Sequence, residues 1–473
     1  MRDEKQRAKT GKKIAVIGFG KEGQSILKFL RTLEFARAEI WVLDRNEKTV
    51  LPRGVRGQLG GDYLKGLERF DLIIRSPGIR YHAPEIQAAI WKGITVTSPT
   101  KIFFDRSPAP IIGVTGTKGK GTTSTLVFKI LEEGRKKKGE RSGKVFLAGN
   151  IGTPALDILP KLDKRSFVVL EMSSFQLIDL TKSPHIAVAL MITSEHLDWH
   201  KSVKEYRGAK ANIVRFQSAR DYAVVARDYA ASRAFAKLTK AKIFTFARRA
   251  KPKSGTIARS GDGTGLGTFV EDGWFCFSDG KRKEAVCETN RLQIPGEHNW
   301  ENVGAAITVA KIMGVPNAAI AKSVYAFRGL EHRLEFVAEK HGVRYYNDSY
   351  ATTPETTIAA IKAFRQPKIL ILGGSSKGSD FAELGRIISK SDSLRGIIGI
   401  GAEWPRIKSK IKTRNSRIHI VENCKNMKDI VRAAKRMAVP GDVVLLSPAC
   451  ASFGMFKNYS DRGKQFKERV NRV

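Results

Sequence analysis

The stretch Gly113-Val-Thr-Gly-Thr-Lys-Gly-Lys-Gly-Thr-Thr123 decides how this chain is read. An apolar run, Ala109–Val114, precedes it. Within Thr122–Glu133, just beyond it, Leu126, Val127, Ile130 and Leu131 fall on one helical face. A strand, a glycine-rich turn and a helix start are therefore expected at one place. Backbone N–H groups in such a turn can wrap a polyphosphate, the helix dipole favours its negative charge, and Lys120 can reach the terminal phosphates. The expected class is a nucleoside triphosphatase or a ligase. The fit to the strict P-loop pattern is imperfect. Gly113 lies one residue too early, and Gly121 stands where a Ser or Thr hydroxyl usually meets Mg²⁺, which leaves Thr122 or water to substitute.

Similar punctuation recurs on either side. Lys13–Ile17 reads as a strand, Gly18-Phe-Gly20-Lys-Glu-Gly23 as a turn, and a helix follows through Leu33. A second strand, Glu39–Leu43, ends at Asp44, so a G-x-G-x-x-G turn is followed by an acidic residue about 20 positions on. That arrangement suits the dinucleotide of a dehydrogenase, or another pyrophosphate such as a UDP group. Strand Leu72–Ile74 runs into Arg75-Ser-Pro-Gly-Ile79, a turn at the edge where such sheets bind ligands.

After the P-loop, strand Phe167–Leu170 ends in Glu171-Met-Ser-Ser-Phe-Gln176 and strand Ile186–Ile192 in Thr193-Ser-Glu-His-Leu-Asp198. Both put carboxylates, and one a histidine, beyond strand ends. Glu171 and His196 are the natural candidates for Mg²⁺, which takes hard oxygen ligands, keeps several waters and accepts an occasional imidazole. Ser254–Gly273 reads as a hairpin region or insertion, and a helical pattern follows Gly296–Asn302. From about residue 330, strands near Lys368–Leu372, Leu394–Ile400, Arg417–Val421 and Asp442–Leu446 alternate with helices near Phe381–Ser389 and Met427–Ala438. Such alternation implies parallel sheets with helices on their faces. Three α/β modules in series, each with ligand-type loops, suggest that several substrates meet between domains.

The 473 residues have room for about three domains. No apolar run approaches the roughly 20 residues that span a bilayer. Met1–Lys13 is charged and lacks a signal-peptide core, and the four cysteines show no close metal-type spacing. A cytoplasmic protein with reduced thiols and no membrane insertion is expected. The formal charge of +38 attracts polyanions, yet the basic residues are spread along the chain, densest in Met1–Lys13 and Arg135–Lys144. No RNA-binding signature with interleaved aromatics is present, so nucleic acid is not required. A basic P-loop ATPase that binds nucleic acid in a salt-sensitive way is the alternative from another class.

Gly113–Thr123, Glu171–Gln176, Ser194–Asp198, Gly296–Asn302, Gly329–Arg333, Asn347–Thr352 and Ser447–Arg462 occur in the order seen in the Mur ligases. The chain resembles that family, and within it the branch that adds D-glutamate. The alternatives within ligases are a sibling adding L-alanine, a diamino acid or a dipeptide, or a folylpolyglutamate-type ligase; the absence of an Asp-Asn-Pro-Arg motif argues against the diamino-acid branch.

The resemblance implies an α/β protein of three domains after a basic arm (1–12). These are a Rossmann-like UDP-binding domain (13–108), a central P-loop ATPase-like domain (109–329) and a Rossmann-like C-terminal domain for the amino acid (330–473). It implies ATP and two Mg²⁺ ions, the substrates UDP-N-acetylmuramoyl-L-alanine and D-glutamate, and a monomer. ATP would be held by Gly116, Thr117, Lys118, Gly119, Lys120, Gly121 and Thr122, with Asn299, Asn302, Arg333 and Asp348. Glu171, His196 and Lys210, carried as a carbamate, would bind Mg²⁺, with Thr122 as a further ligand; with Lys120 these make the catalytic set. Gly18, Gly20, Gly23, Asp44, Asn150 and Ser173 would contact the UDP-linked substrate. Thr352, Lys377, Ser452 and Tyr459 would receive D-glutamate. Tyr350, where such relatives commonly have lysine, and the charged Lys21 and Glu22 depart from the pattern.

Overall fold

The computed structural model describes residues 11–472, apart from 33, 34, 36, 137–142, 151, 197, 198, 251–264, 377 and 413–417. Among the described residues the strands form three sheets.

The first sheet contains β1 (Lys13–Ile17), β2 (Glu39–Asp44), β3 (Arg56–Leu59), β4 (Leu72–Arg75) and β5 (Thr95–Thr97). All neighbours are parallel, in the order β3-β2-β1-β4-β5. Alternate residues of β1 face two cores: Ile14 and Val16 join one apolar cluster, Ala15 and Ile17 another. A strand buried on both faces reads as an unbroken apolar run, and β1 does. The strand order reverses between β1 and β4, so the crevice past their carboxyl ends is the switch point where such sheets take ligands. Helix Lys21–Leu30 stops short of the expected Leu33: its end tightens to i→i−3 bonds, from the Arg31 N–H to Lys28 O and from the Thr32 N–H to Phe29 O. Leu33 itself lies outside the described residues.

The second sheet contains β6 (Ile111–Thr115), β7 (Val145–Gly149), β8 (Phe167–Glu171), β9 (Ile186–Ala189), β10 (Tyr222–Ala226), β11 (Lys242–Phe246), β12 (Gly267–Glu271), β13 (Trp274–Ser278) and β14 (Lys283–Glu288). Its order is β14-β13-β12-β11-β10-β9-β6-β8-β7, parallel except for the β12-β13-β14 meander. β9 is shorter than the expected Ile186–Ile192. Beyond Ala189 the backbone turns to the P-loop, where Met191 O accepts the Thr117 N–H at 2.7 Å. The stretch Ser254–Gly273, expected as a hairpin region or insertion, lies outside the described residues over 254–264, and its described end enters the β12-β13 hairpin. That hairpin turns through Asp272 and Gly273, both at positive φ, as a two-residue primed turn requires.

The third sheet contains β15 (Glu335–Lys340), β16 (Val343–Asn347), β17 (Lys368–Gly373), β18 (Leu394–Ile400), β19 (His419–Val421) and β20 (Val443–Leu446), in the order β15-β16-β20-β17-β18-β19. Only the edge pair β15-β16 is antiparallel. Leu370 and Leu372 face one core, Ile369 and Ile371 the other. The helices expected from 381 and 427 span Ala382–Ser389 and Met427–Met437. Arg417, expected at the start of β19, lies outside the described residues.

One compact unit runs to Thr289 and takes in Trp300–Val324, so it holds the first two sheets. The other comprises Asn290–Asn299 and Tyr325 onward. No described helix is long and apolar enough to cross a membrane.

Candidate active site

β6 ends at Thr115, and helix Lys120–Lys136 begins at Lys120, so the P-loop is the whole connection between them. Gly119 has φ +88°, and a Cβ there would lie 2.3 Å from Asn302 Oδ1; only glycine fits. Lys120 Nζ donates to Gly116 O at 2.9 Å and to Thr117 O at 3.2 Å, folding over the loop it follows. Thr117 and Thr122 are buried, and Gly121 is buried in the first helical turn. The Thr117 hydroxyl accepts the Thr193 N–H at 3.0 Å and pairs with the Tyr206 hydroxyl at 2.9 Å. Lys118 Nζ lies 2.6 Å from Glu195 Oε1. Thr123 Oγ1 donates to Asn302 Oδ1 at 3.2 Å, which ties helix His298–Ile312 to the loop. Asn299, three residues earlier, donates its amide to Pro295 O at 2.6 Å.

Glu171 is the last residue of β8 and lies beside Val114 of β6. Asn150 donates to its Oε1 at 2.9 Å. Its Oε2 is buried and, among the described residues, has no hydrogen-bond partner. Lys210, on helix Val203–Arg215, is buried, and its Nζ donates to Gly116 O at 2.9 Å and Thr115 Oγ1 at 3.3 Å. Gly116 O thus receives two lysines. Burial first, then the neighbouring Lys120 charge, holds the Lys210 ammonium well below the ordinary lysine range. His196 adopts φ +58°, with its ring 4.9 Å from that of Phe175 and Nε2 3.6 Å from Glu195 Oε2.

A buried carboxylate oxygen left unsatisfied suits a hard cation such as Mg²⁺. The described residues place no group of three or more His, Cys, Asp and Glu side chains to hold a metal. The remaining ligands would therefore come from nucleotide, water, a hydroxyl or a modified Lys210.

Ser173 caps helix Ser174–Leu177, sharing a capping box with Gln176. In the first sheet, Gly18 has φ +83°, and a Cβ on Gly23 would lie 2.2 Å from Gly18 O. Gly20 has open space around it. Asp44 accepts the Phe19 N–H at 2.6 Å and the Asn46 N–H at 2.8 Å, so its carboxylate fastens the glycine turn itself.

In the other compact unit, Asp348 is buried, accepting from Ser447 Oγ at 2.7 Å and Leu334 N at 3.1 Å. Burial pushes its carboxyl up to about 7. Arg333 is half-buried, with its N–H on Leu330 O. Arg462 is fully buried and donates to Ser349 O at 2.8 Å and Cys450 O at 3.2 Å, clasping two of the expected ligand loops. Ser452 is buried and Thr352 half-buried. The Tyr459 ring stands edge-on to those of Tyr350, at 5.3 Å, and His332, at 5.9 Å. Lys377 lies outside the described residues.

The structure thus gathers Gly116–Thr122, Asn302 and Lys210 into one group, with Glu171 close enough to act on the Lys210 charge. The sequence reading assigns no role of their own to Tyr206, Glu195 and Arg462, although Glu195 and Arg462 lie within the motifs quoted above. Tyr206 was findable, since it precedes Lys210 by one helical turn and shares its face. Nothing in the local pattern marks Glu195 as the partner of Lys118.

A glycine-rich loop joining a strand to a helix start, with Lys120 folded over its carbonyls and an unsatisfied Glu171 oxygen at the end of the neighbouring strand, suits a polyphosphate and its cation; the class is a P-loop enzyme. Three family models match in sequence: the Mur ligase MurD-like N-terminal domain over residues 12–98, the Mur ligase middle domain over 114–310, and the Mur ligase glutamate ligase domain over 332–450. The UDP-N-acetylmuramoylalanine–D-glutamate ligase of Acetivibrio thermocellus is 37% identical over 100% of this chain and 99% of its own. That of Symbiobacterium thermophilum is 34% identical over 98% of each. Among solved structures, the UDP-N-acetylmuramate–alanine ligase of Thermotoga maritima matches with TM-score 0.55 at 17% identity, covering 98% of this chain and 99% of that one. The chain belongs to the Mur ligases. These are ATP-dependent ligases acting on small molecules, with the α/β fold found here.

Proposed function

We propose that this chain joins D-glutamate to UDP-N-acetylmuramoyl-L-alanine at the expense of ATP, as a step in peptidoglycan precursor synthesis. The observation that carries the reading is similarity along the whole chain to ligases of that name, at 37% identity. The chemistry is uphill in water, so the carboxylate must be activated. One of its oxygens attacks the γ-phosphorus of ATP and ADP leaves, giving an acyl phosphate. The D-glutamate amine then attacks the acyl carbon and loses a proton, and phosphate departs.

Lys120 and the N–H groups of Gly116–Thr122 would hold the β- and γ-phosphates, offsetting the repulsion between carboxylate and triphosphate. Asn299, Asn302, Arg333 and Asp348 would take adenine, ribose or phosphate. Glu171, His196, Thr122 and Lys210 as a carbamate would hold two Mg²⁺ ions, which would supply charge neutralisation at the transferring phosphoryl group. The depressed ammonium of Lys210 favours that modification. A neutral amine can attack carbon dioxide, forming the N–C bond and releasing a proton, and an anion then replaces a cation. Gly18, Gly20, Gly23, Asn150 and Ser173 would seat the UDP-linked substrate, with Asp44 shaping the turn. Thr352, Lys377, Ser452 and Tyr459 would receive D-glutamate. We assign these roles to segments 13–108, 109–329 and 330–473 of a cytoplasmic monomer.

Phosphate release from ATP and Mg²⁺ tests the reading. It should require both UDP-N-acetylmuramoyl-L-alanine and D-glutamate, fail with L-glutamate, and fall by roughly 10²-fold or more in Lys120→Ala. Activity with meso-diaminopimelate alone, or tight salt-sensitive nucleic-acid binding with no need of the sugar nucleotide, would refute it.

A further inference from the structure

A buried ion pair joins elements of the first and second sheets, and the roles assigned above make no use of it. Arg75, the last residue of β4, is fully buried, and its Nη2 lies 3.2 Å from Asp179 Oδ1. The same guanidinium donates to Ile79 O at 2.7 Å, to Pro77 O at 3.3 Å and to Phe175 O at 3.3 Å. It therefore grips the carbonyls of two turns: Ser76–Ile79 beyond β4, and the segment that follows Glu171. A second tie runs in parallel. Trp199 Nε1 donates to Gly78 O at 3.1 Å, and its ring lies 4.5 Å from that of Phe175.

Stability alone is a poor reason for this pair. Taking two charges out of water is costly, and well-packed apolar residues of similar volume often do as well or better. Here, among the described residues, Arg75 Nε and Asp179 Oδ2 are also buried without hydrogen-bond partners. What apolar side chains could not reproduce is the grip on the carbonyls. One gripped turn borders the switch point of the first sheet, where Ser76 Oγ donates to Gly18 O at 2.7 Å. The other carries Phe175, whose ring contacts that of His196.

We propose that Arg75 is a positioning residue. With Asp179 and Trp199 it sets the Ser76–Ile79 turn against the Glu171–Gln176 turn, and so fixes how far the carboxylate of a bound sugar nucleotide reaches toward the P-loop. The inference rests on the functional reading above, and Arg75 itself touches no substrate.

The variants are Arg75→Met/Asp179→Leu, which removes both charges and leaves a flexible side chain beside the Tyr81 ring, and Trp199→Phe, which keeps a ring on Phe175 and loses the bond to Gly78 O. Melting temperature, kcat, and KM for ATP and for UDP-N-acetylmuramoyl-L-alanine are measured. The double variant should melt below the parent, because the carbonyls of Pro77, Ile79 and Phe175 lose their donor, and should show KM for the sugar nucleotide raised roughly tenfold to a hundredfold, with KM for ATP within about twofold. Trp199→Phe should move the same KM in the same direction, and it decides the matter if the double variant does not fold. A folded double variant with parental KM values, an equal rise in both KM values, or an unaltered Trp199→Phe enzyme when the double variant is unfolded overturns the proposal. A parent enzyme that releases no phosphate with the sugar nucleotide overturns the functional reading, and this proposal with it.

Discussion

Asp348 shows how much a single environment can change one carboxyl. Its hydrogen bonds from Ser447 and Leu334, and the nearby Arg333 and Arg462, all favour the anion, yet burial outweighs them and pushes it up to about 7. The unfolded chain would titrate this group near 3.8. A carboxyl raised on folding stabilises the fold fully below its unfolded value, and that contribution disappears as pH rises through the folded one. Between pH 7 and pH 5 the parent should therefore gain about 2 to 3 kcal/mol relative to Asp348→Asn. Denaturant unfolding of both proteins at both pH values isolates the effect, since every other titrating group is common to the pair. A gap that stays constant with pH would show that Asp348 ionises normally. At the same scale, Gly119→Ala would drive a Cβ to 2.3 Å from Asn302 Oδ1. Phosphate release should fall at least tenfold, because both the loop and its tie to helix His298–Ile312 must shift.

The glycine turn between β1 and helix Lys21–Leu30 offers a paired test at the scale of elements. Gly23 packs its helix directly on Gly18 O, whereas Gly20 faces open space at ordinary φ. Gly23→Ala should cost about 1 to 3 kcal/mol by pushing the helix off the turn, and should raise KM for the sugar nucleotide while leaving KM for ATP alone. Gly20→Ala should leave stability within about 0.5 kcal/mol of the parent. Thermal melts and substrate titrations of the two variants decide it; equal effects would mean that the turn relaxes freely. The same elements show what sequence can carry. β1, β6 and β17 are buried on both faces, so their apolar runs mark them without any partner being known. The P-loop and the β12-β13 turn are legible because specific backbone angles demand glycine. The sequence overextends β9 because Leu190 and Ile192 are as buried as the strand before them, while Met191 O between them already accepts the Thr117 N–H of the P-loop. Burial alone does not separate those two fates. Arg75 with Asp179 was illegible for a different reason, since a contact 104 positions apart leaves no local period.

Over the whole molecule, 84 lysines and arginines face 46 aspartates and glutamates. No pairing within the chain can neutralise more than 46 of the cations, so 84 − 46 = 38 positive charges repel one another in the folded state. Self-repulsion acts over the surface and is screened once the Debye length falls to about 10 Å, near 0.1 M salt. Exposed ion pairs such as Lys118–Glu195 and Lys408–Glu422 lose strength in salt too, but each is worth at most about 1 kcal/mol. Repulsion should win, so the melting temperature should rise between about 20 and 200 mM NaCl. Substrate binding should respond with the opposite sign. ATP, the sugar nucleotide and D-glutamate are all anionic, and a field that gathers them at low salt is lost on screening. KM for all three should therefore increase several-fold over the range in which the fold becomes more stable. Melting curves and KM measured in one salt series would show the two trends crossing. A melting temperature that fell with salt would mean that the ion pairs outweigh the excess charge, and a flat KM would mean that the excess lies away from the substrate paths.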